Sequence, residues 1–171
     1  IGPSAECIRA MGDKAVARDT MSAAGIPVAR GTTRPVSSPD EAVRTAARIG
    51  YPLLIKPAAG GGGKGMRIVE AGTELVASLV SSQNEARAAF GDDHVYLERF
   101  IPNARHVEFQ ILADNFGKVV HLGERECSVQ RRHQKLIEEA PSPALDQTLR
   151  RKMGRTAIKA ARAVDYRGVG T

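Results

Sequence analysis

Apolar residues recur along the chain with two periods, and the switch between them lays out alternating helices and strands. Ser4 to about Ala24 carries a helical pattern with a break at Gly12-Asp13, and Ala24-Gly25-Ile26-Pro27 ends it. Val28 to Thr33 is predicted as a short strand. Ser38-Pro39-Asp40-Glu41 reads as a helix start: Ser38 as N-cap, Pro39 in the first turn, and Glu41 placed to close a capping box. That helix is expected to run to Ile49 and stop at Gly50. Pro52 to Lys56 is a short apolar run, a buried strand ending in a lysine. Met66 to Val69 is predicted to return beside it. Gly72 to Phe90 reads as a helix with Leu75, Val76, Leu79 and Val80 on its apolar side. His94 to Phe100 is expected to be another strand.

Beyond this point the period is two. Val107, Phe109 and Ile111 alternate with His106, Glu108 and Gln110 between Arg105 and Asp114, which puts the two sets on opposite faces of one strand. Asp114-Asn115-Phe116-Gly117 has the residues of a hairpin turn, with Lys118 to Cys127 as the partner strand. Asp146 to Val164 is helical and basic, and Arg167 to Gly170 enters a further strand. The fold class predicted is α/β (α+β). Residues 1–28 are expected to be a helical linker from a missing N-terminal domain. Residues 29–100 form a compact small lobe, and residues 101–171 begin a second sheet. The chain starts at Ile1 and stops at Gly170-Thr171 after an apparent turn, so it reads as an excised piece.

Composition narrows the picture without changing it. Of 171 residues, 42% are hydrophobic and 26% charged, the balance of a soluble globular protein, and no apolar run approaches bilayer length. Neither end resembles a signal peptide. Trp is absent, so the core must rest on aliphatic residues. Cys7 and Cys127 lack metal-ligand spacing and read as free buried thiols in a reducing cytoplasm. The net charge of +6 allows a nucleic-acid partner, or a pocket for an anionic small molecule ringed by Lys and Arg. The one dense patch, Gln130 to Lys135, is not interleaved with stacking aromatics, which disfavours a single-strand binder.

The strongest chemical signal is Ile55-Lys56-Pro57-Ala58-Ala59-Gly60-Gly61-Gly62-Gly63-Lys64-Gly65-Met66. Consecutive glycines between two strands are entropically costly, which implies that something passes close to the backbone. Bare N–H groups can fold over phosphate oxygens, and Lys56 at a strand end adds a point charge for the same anion. No Ser or Thr follows the lysine as in a Walker A loop, and the next segment is strand-like rather than the helix of a dinucleotide fingerprint. A flexible hairpin linker is the plainer alternative.

This lysine, glycine-rich hairpin and returning strand resemble the phosphate lid of the ATP-grasp superfamily. Gly60 to Met66, Met11-Gly12-Asp13-Lys14, and Cys127 to Lys135 followed by Glu138-Glu139-Ala140-Pro141 resemble the biotin carboxylases in particular, over essentially the whole chain. Lys64 stands where the family often has Arg, and Ile101 where Leu is common. The resemblance implies an ATP-grasp fold, with residues 29–100 as its small lid subdomain and 101–171 as the start of the large one. It implies ATP phosphates at Lys14, Lys56, Gly62 and Gly63, with Met66 also among the ATP-binding residues. Adenine would lie along Glu98, Arg99, Phe100 and Ile101, and the ribose side at His106, Gln130 and His133. Lys135 would be catalytic, helping to hold bicarbonate. On its own Lys14 would pass for a solvated helix lysine and His106 for an exposed strand histidine. His106 and Glu108 could hold a metal only with a third ligand, and none is evident.

The implied activity is ligation: MgATP and bicarbonate carboxylate biotin through carboxyphosphate, as in acetyl-CoA carboxylase of fatty acid synthesis, and in propionyl-CoA and pyruvate carboxylases. The implied partners are a biotin carboxyl carrier protein or domain and a carboxyltransferase, in a cytoplasmic homodimeric parent without nucleic acid or membrane. Magnesium ligands are expected downstream, with no metal site in the chain, so the chain alone is expected to be inactive. Two other readings stay open: another ATP-grasp ligase such as carbamoyl-phosphate synthetase, against which the Gln130–Lys135 wording argues, and a basic nucleic-acid-binding module.

Overall fold

The computed structural model describes residues 2–59, 64–131 and 134–171, with the backbone only at Lys14. The helix signals at the start are realised closely. Ser4 caps α1 (Ala5–Gly12), and Asp13 ends it and also caps α2 (Lys14–Ala23) by accepting from the Ala15 and Val16 amides. These helices group with residues 104–171 as one compact unit, and residues 29–103 form a second unit.

The 29–103 unit is built on α3 (Pro39–Ile49), β1 (Leu53–Pro57), β2 (Arg67–Val69), α4 (Gly72–Phe90) and β3 (Val95–Arg99). Ser38 caps α3 through the Glu41 amide at 3.2 Å. The Glu41 carboxylate takes the Ser37 amide at 3.0 Å, so the box closes one residue earlier than predicted. The three strands pair antiparallel in the order β2-β1-β3. Leu53, Ile55, Val69 and Leu97 from the sheet and Leu75 and Leu79 from α4 are fully buried together.

Two expectations here are corrected. Val76 and Val80 are largely exposed, because the buried stripe of α4 runs Leu75, Leu79, Ser82 and Ala86. The flanking valines sit about 100° round the helix from the residues before them. Val28 to Thr33 is not a strand but an extended segment with one bridge, Gly31 to Glu98. Thr32 takes the Leu97 amide with its hydroxyl at 3.1 Å, which substitutes a side chain for the carbonyl a ladder would need.

In the other unit β4 (Val107–Ala113), β5 (Val119–Arg131), β6 (Gln134–Glu139) and β7 (Gly168–Gly170) form an antiparallel sheet in the order β6-β5-β4-β7. The β4–β5 turn is fixed by Asp114, whose carboxylate accepts from the Phe116 and Lys118 amides at 2.8 Å each. α5 (Gln147–Ala163), capped by Asp146, covers one face. It can approach β5 because Gly154 sits over His121, whose Nε2 would be 2.4 Å from a Cβ there. Ile111, Ala113, Val119 and Ala161 make the core beneath it. β5 runs four residues past the predicted Cys127, and β6 is a strand that periodicity gave no sign of. Every residue of β6 is exposed, so no alternation marks it, and backbone pairing to β5 alone defines it.

Candidate functional site

Lys56 lies on β1 and Glu98 on β3. Leu54 pairs with Glu98 in the register, and Lys56 is two residues further along on the same face. The Lys56 ammonium donates to the Glu98 carboxylate at 2.7 Å, with both side chains mostly shielded from solvent. Such a charge-assisted bond fixes the lysine head at the strand end that precedes the glycine run. Beyond Glu98, the Arg99 amide donates to Arg30 O at 2.7 Å and the Phe100 amide to Pro52 O at 3.0 Å, while Ile101 projects into solvent. The Arg99 guanidinium donates to the Tyr51 carbonyl. Met66 is half-buried just after Gly65. Gly62, Gly63, His133 and the Lys14 side chain lie outside the described residues.

The second sheet gathers His106, Gln130 and Lys135 at one end of β4, β5 and β6. Cys127 donates its amide to His106 O at 2.7 Å, and the His106 amide donates to the Ser128 hydroxyl at 2.8 Å. Gln130 Nε2 lies 2.7 Å from His106 Nδ1 and donates to Cys127 O at 2.8 Å, which locks the amide against the imidazole. Gln130 and Lys135 are register partners across β5 and β6. Lys135 Nζ donates to Glu108, the residue two beyond His106. His106, just before β4, thus meets the hairpin partners Gln130 of β5 and Lys135 of β6 on one sheet, although 24 positions separate it from Gln130 in sequence.

In the sequence Glu108 is singled out only as a possible metal ligand beside His106. It is the electrostatic centre of this face: Arg125 Nε donates to it at 2.7 Å on one side and Lys135 on the other. The Lys135 bond holds the Glu108 carboxyl below its ordinary range against the upward push of burial, with Arg125 assisting. The same bond raises the Lys135 ammonium, so it stays charged. Burial first, then Glu108, pushes the Cys127 thiol up, which keeps it protonated rather than nucleophilic. Cys7 is likewise raised by burial, and both thiols are free. Ligand atoms of Glu108, Cys127 and Glu138 lie within 4.8 Å of one another, but two cations already engage Glu108 and the thiol keeps its proton. His106 Nε2 stands 4.0 Å from a Glu108 oxygen, and among the described residues no third ligand joins the pair.

Behind the His106 edge is a network that sequence reasoning missed. Buried Glu126 accepts from the hydroxyls of Ser128 and Ser142, the latter at 2.6 Å. Neighbouring Glu124 accepts from Arg150 Nε of α5 at 2.6 Å. Burial raises Glu124, yet Arg150 and the Ser142 amide outweigh it and hold the carboxyl below the usual range. Charged residues at alternate strand positions were the available signal, since two glutamates flanking Arg125 cannot all face water on a half-covered sheet.

The geometry therefore offers two cation-bearing anchors, Lys56 and Lys135, each held by a carboxylate, with a His–Gln pair beside the second. What decides the family is a match to the ATP-binding domain of the carbamoyl-phosphate synthase L chain over residues 13–171. The chain belongs to that family. It is 56% identical over all 171 residues to a biotin carboxylase of Nostoc sp., of which it spans 38%. A biotin carboxylase from Campylobacter jejuni, solved as a β,γ-ATP complex, superposes with a TM-score of 0.89 at 48% identity over 98% of this chain and 38% of that one. The biotin carboxylase domain of a Hydrogenobacter thermophilus 2-oxoglutarate carboxylase, a dimer solved with MgADP, ADP and bicarbonate, gives 0.88 at 45% identity over 98% and 37%. The family's fold is the ATP-grasp fold of biotin carboxylases, a mixture of helices and antiparallel sheets as predicted.

Proposed function

We propose that this chain is the nucleotide-binding part of a biotin carboxylase, an ATP-dependent ligase that carboxylates biotin with MgATP and bicarbonate. The observation that carries this reading is the meeting of His106, Gln130 and Lys135 on one sheet, with Lys135 held cationic by Glu108. A fixed cation suits a small anion such as bicarbonate and lowers the cost of bringing it against a triphosphate. His106, Gln130 and His133 line the ribose side. Lys14, Lys56 and the Gly62 and Gly63 backbone take the phosphates, and Met66 lies against the nucleotide. Glu98 to Ile101 run along adenine. The Arg99 and Phe100 amides already donate within the fold, so Ile101 is the position whose amide is assigned to the base.

In the reaction a bicarbonate oxygen attacks the γ-phosphorus and ADP leaves, giving carboxyphosphate. The carboxyl carbon then passes to the ureido nitrogen of biotin, releasing phosphate and the nitrogen's proton. Phosphoryl transfer of this kind depends chiefly on positioning and on spreading charge. Lys56 and Lys135, each held by a carboxylate, supply both. Magnesium accompanies the nucleotide, and Glu98 and Glu108, already engaged by lysines and an arginine, are not assigned as its ligands. The whole protein is assigned a biotin carboxyl carrier and a carboxyltransferase as partners, as in acetyl-CoA carboxylase, and a homodimeric state in a cytoplasmic, reducing compartment, which two free buried cysteines support. Nucleic acid is not assigned, because Arg125, Lys135 and Arg150 spend their charge on buried or half-buried carboxylates. Among the described residues no helix is long and apolar enough to cross a membrane.

The test is ADP release by the intact protein from MgATP and bicarbonate, with and without free biotin. Bicarbonate-dependent, biotin-stimulated release that Lys135→Ala abolishes supports the reading. Release with some other carboxylate or an amine in place of bicarbonate overturns the biotin assignment.

A further inference from the structure

One buried hydroxyl in the 29–103 unit has no place in an apolar stripe. Ser82 is fully buried on the core face of α4, where Leu75, Leu79 and Ala86 complete the row. A helical serine ordinarily bonds back to a carbonyl of its own preceding turn. Ser82 instead donates to Gly65 O, seventeen residues away in sequence, at 2.6 Å. One turn further along α4, Glu85 accepts from the Gly65 amide at 3.2 Å. Both peptide groups of the last glycine before β2 are therefore tied to the same helix.

Three further observations show that this attachment is built rather than incidental. Gly65 is buried in the left-handed region at φ +72°, and a Cβ there would stand 2.8 Å from Pro57 Cγ at the end of β1. The backbone is thus held between the strand that carries Lys56 and the helix that carries Ser82. The second Glu85 oxygen accepts from Arg67 on β2 at 3.2 Å. Arg67 Nε is buried without a partner, a cost accepted where the guanidinium is turned toward Glu85.

We propose that Ser82 and Glu85 are positioning residues for nucleotide binding: they fix Gly65, and with it Lys64 and Met66, at the phosphate-facing end of β2. This rests on the nucleotide reading above. Backbone donors aimed at an anion act well only if they need not be ordered when the ligand arrives. A helix bolted to the final glycine supplies that order while touching no substrate itself.

The test uses the intact protein with Ser82→Ala, Glu85→Ala and Glu85→Gln. Ser82→Ala and Glu85→Ala are expected to raise KM and Kd for MgATP about tenfold, equivalent to about 1.4 kcal/mol. The kcat and the KM for bicarbonate should stay within about twofold, a split that a merely structural defect would not give. Glu85→Gln keeps an acceptor for the Gly65 amide and is expected to restore wild-type behaviour. Trypsin cleavage after exposed Lys64 should quicken severalfold in both alanine variants. Wild-type protein that fails to bind MgATP overturns the functional reading and this proposal with it. Wild-type binding that the alanine variants match within twofold, or Glu85→Gln behaving as Glu85→Ala, overturns the proposal alone.

Discussion

Glu108 shows how a single carboxylate sets the working state of its neighbours. Its folded-state pKa is lowered, chiefly by Lys135, so its contribution to stability is present above the unfolded value of roughly 4.3 and is lost as pH falls through the lower folded value. Lys135 is raised, so its share is complete below an unfolded value of roughly 10.4 and is lost as pH climbs through the higher folded value. The pair therefore contributes across the neutral range. Glu108→Gln should lower the urea midpoint at pH 7, and the gap from wild type should close as pH is taken below about 4. A gap that stays constant down to pH 3 would show that Glu108 acts by packing alone. At the same scale, buried Cys7 and Cys127 with raised pKa values should give no fast reaction with an aromatic disulfide reagent in the native chain, and two equivalents on denaturation.

At the scale of elements, caps and turns were the most legible features because their chemistry is local. Ser38, Asp114 and Asp146 act through backbone amides two to four residues away, and each does in the structure what its residue type announces. Ser38→Ala should cost about 1 kcal/mol of stability, read as a lower urea midpoint at unchanged slope. Gly65→Ala should cost more, about 2 kcal/mol or above, because it combines a forced left-handed residue with a clash against Pro57. What could not be read locally depends on register. The β6 strand carries no buried residue, so period-two alternation never appears in it. The α4 stripe was misread because two valines outweigh a serine in any hydrophobic count, whereas the Gly65 peptide needs the serine. The same holds for the site: Lys56, His106, Gln130 and Lys135 stood out by motif, but Glu98 and Glu108 as the carboxylates that hold the two lysines required knowing which strands lie side by side.

For the whole molecule, the two units differ in how completely they enclose apolar surface. The 29–103 unit buries a continuous set of aliphatic side chains between its sheet and α3 and α4. In the other unit the core under α5 is much smaller, and a cleft of about 700 Å³ opens beside it, lined by Met11, Met21, Val107, Leu149 and Met153. Apolar burial is the main favourable term in folding, at about 25 cal/mol per Å² removed from water. Opening free energies should then be unequal along the chain, because local stability follows local burial. Hydrogen exchange on the 171-residue chain is expected to be slowest at the amides of β1, β3 and the middle of α4, and markedly faster in β4, β5 and α5 although β4 and β5 form the longer ladder. Equal protection in both units would mean that the long ladder and the Glu124–Arg150 and Glu126–Ser142 network offset the missing apolar contacts. Unequal protection that evens out in the intact protein would locate the stabilisation of that cleft in residues outside this chain.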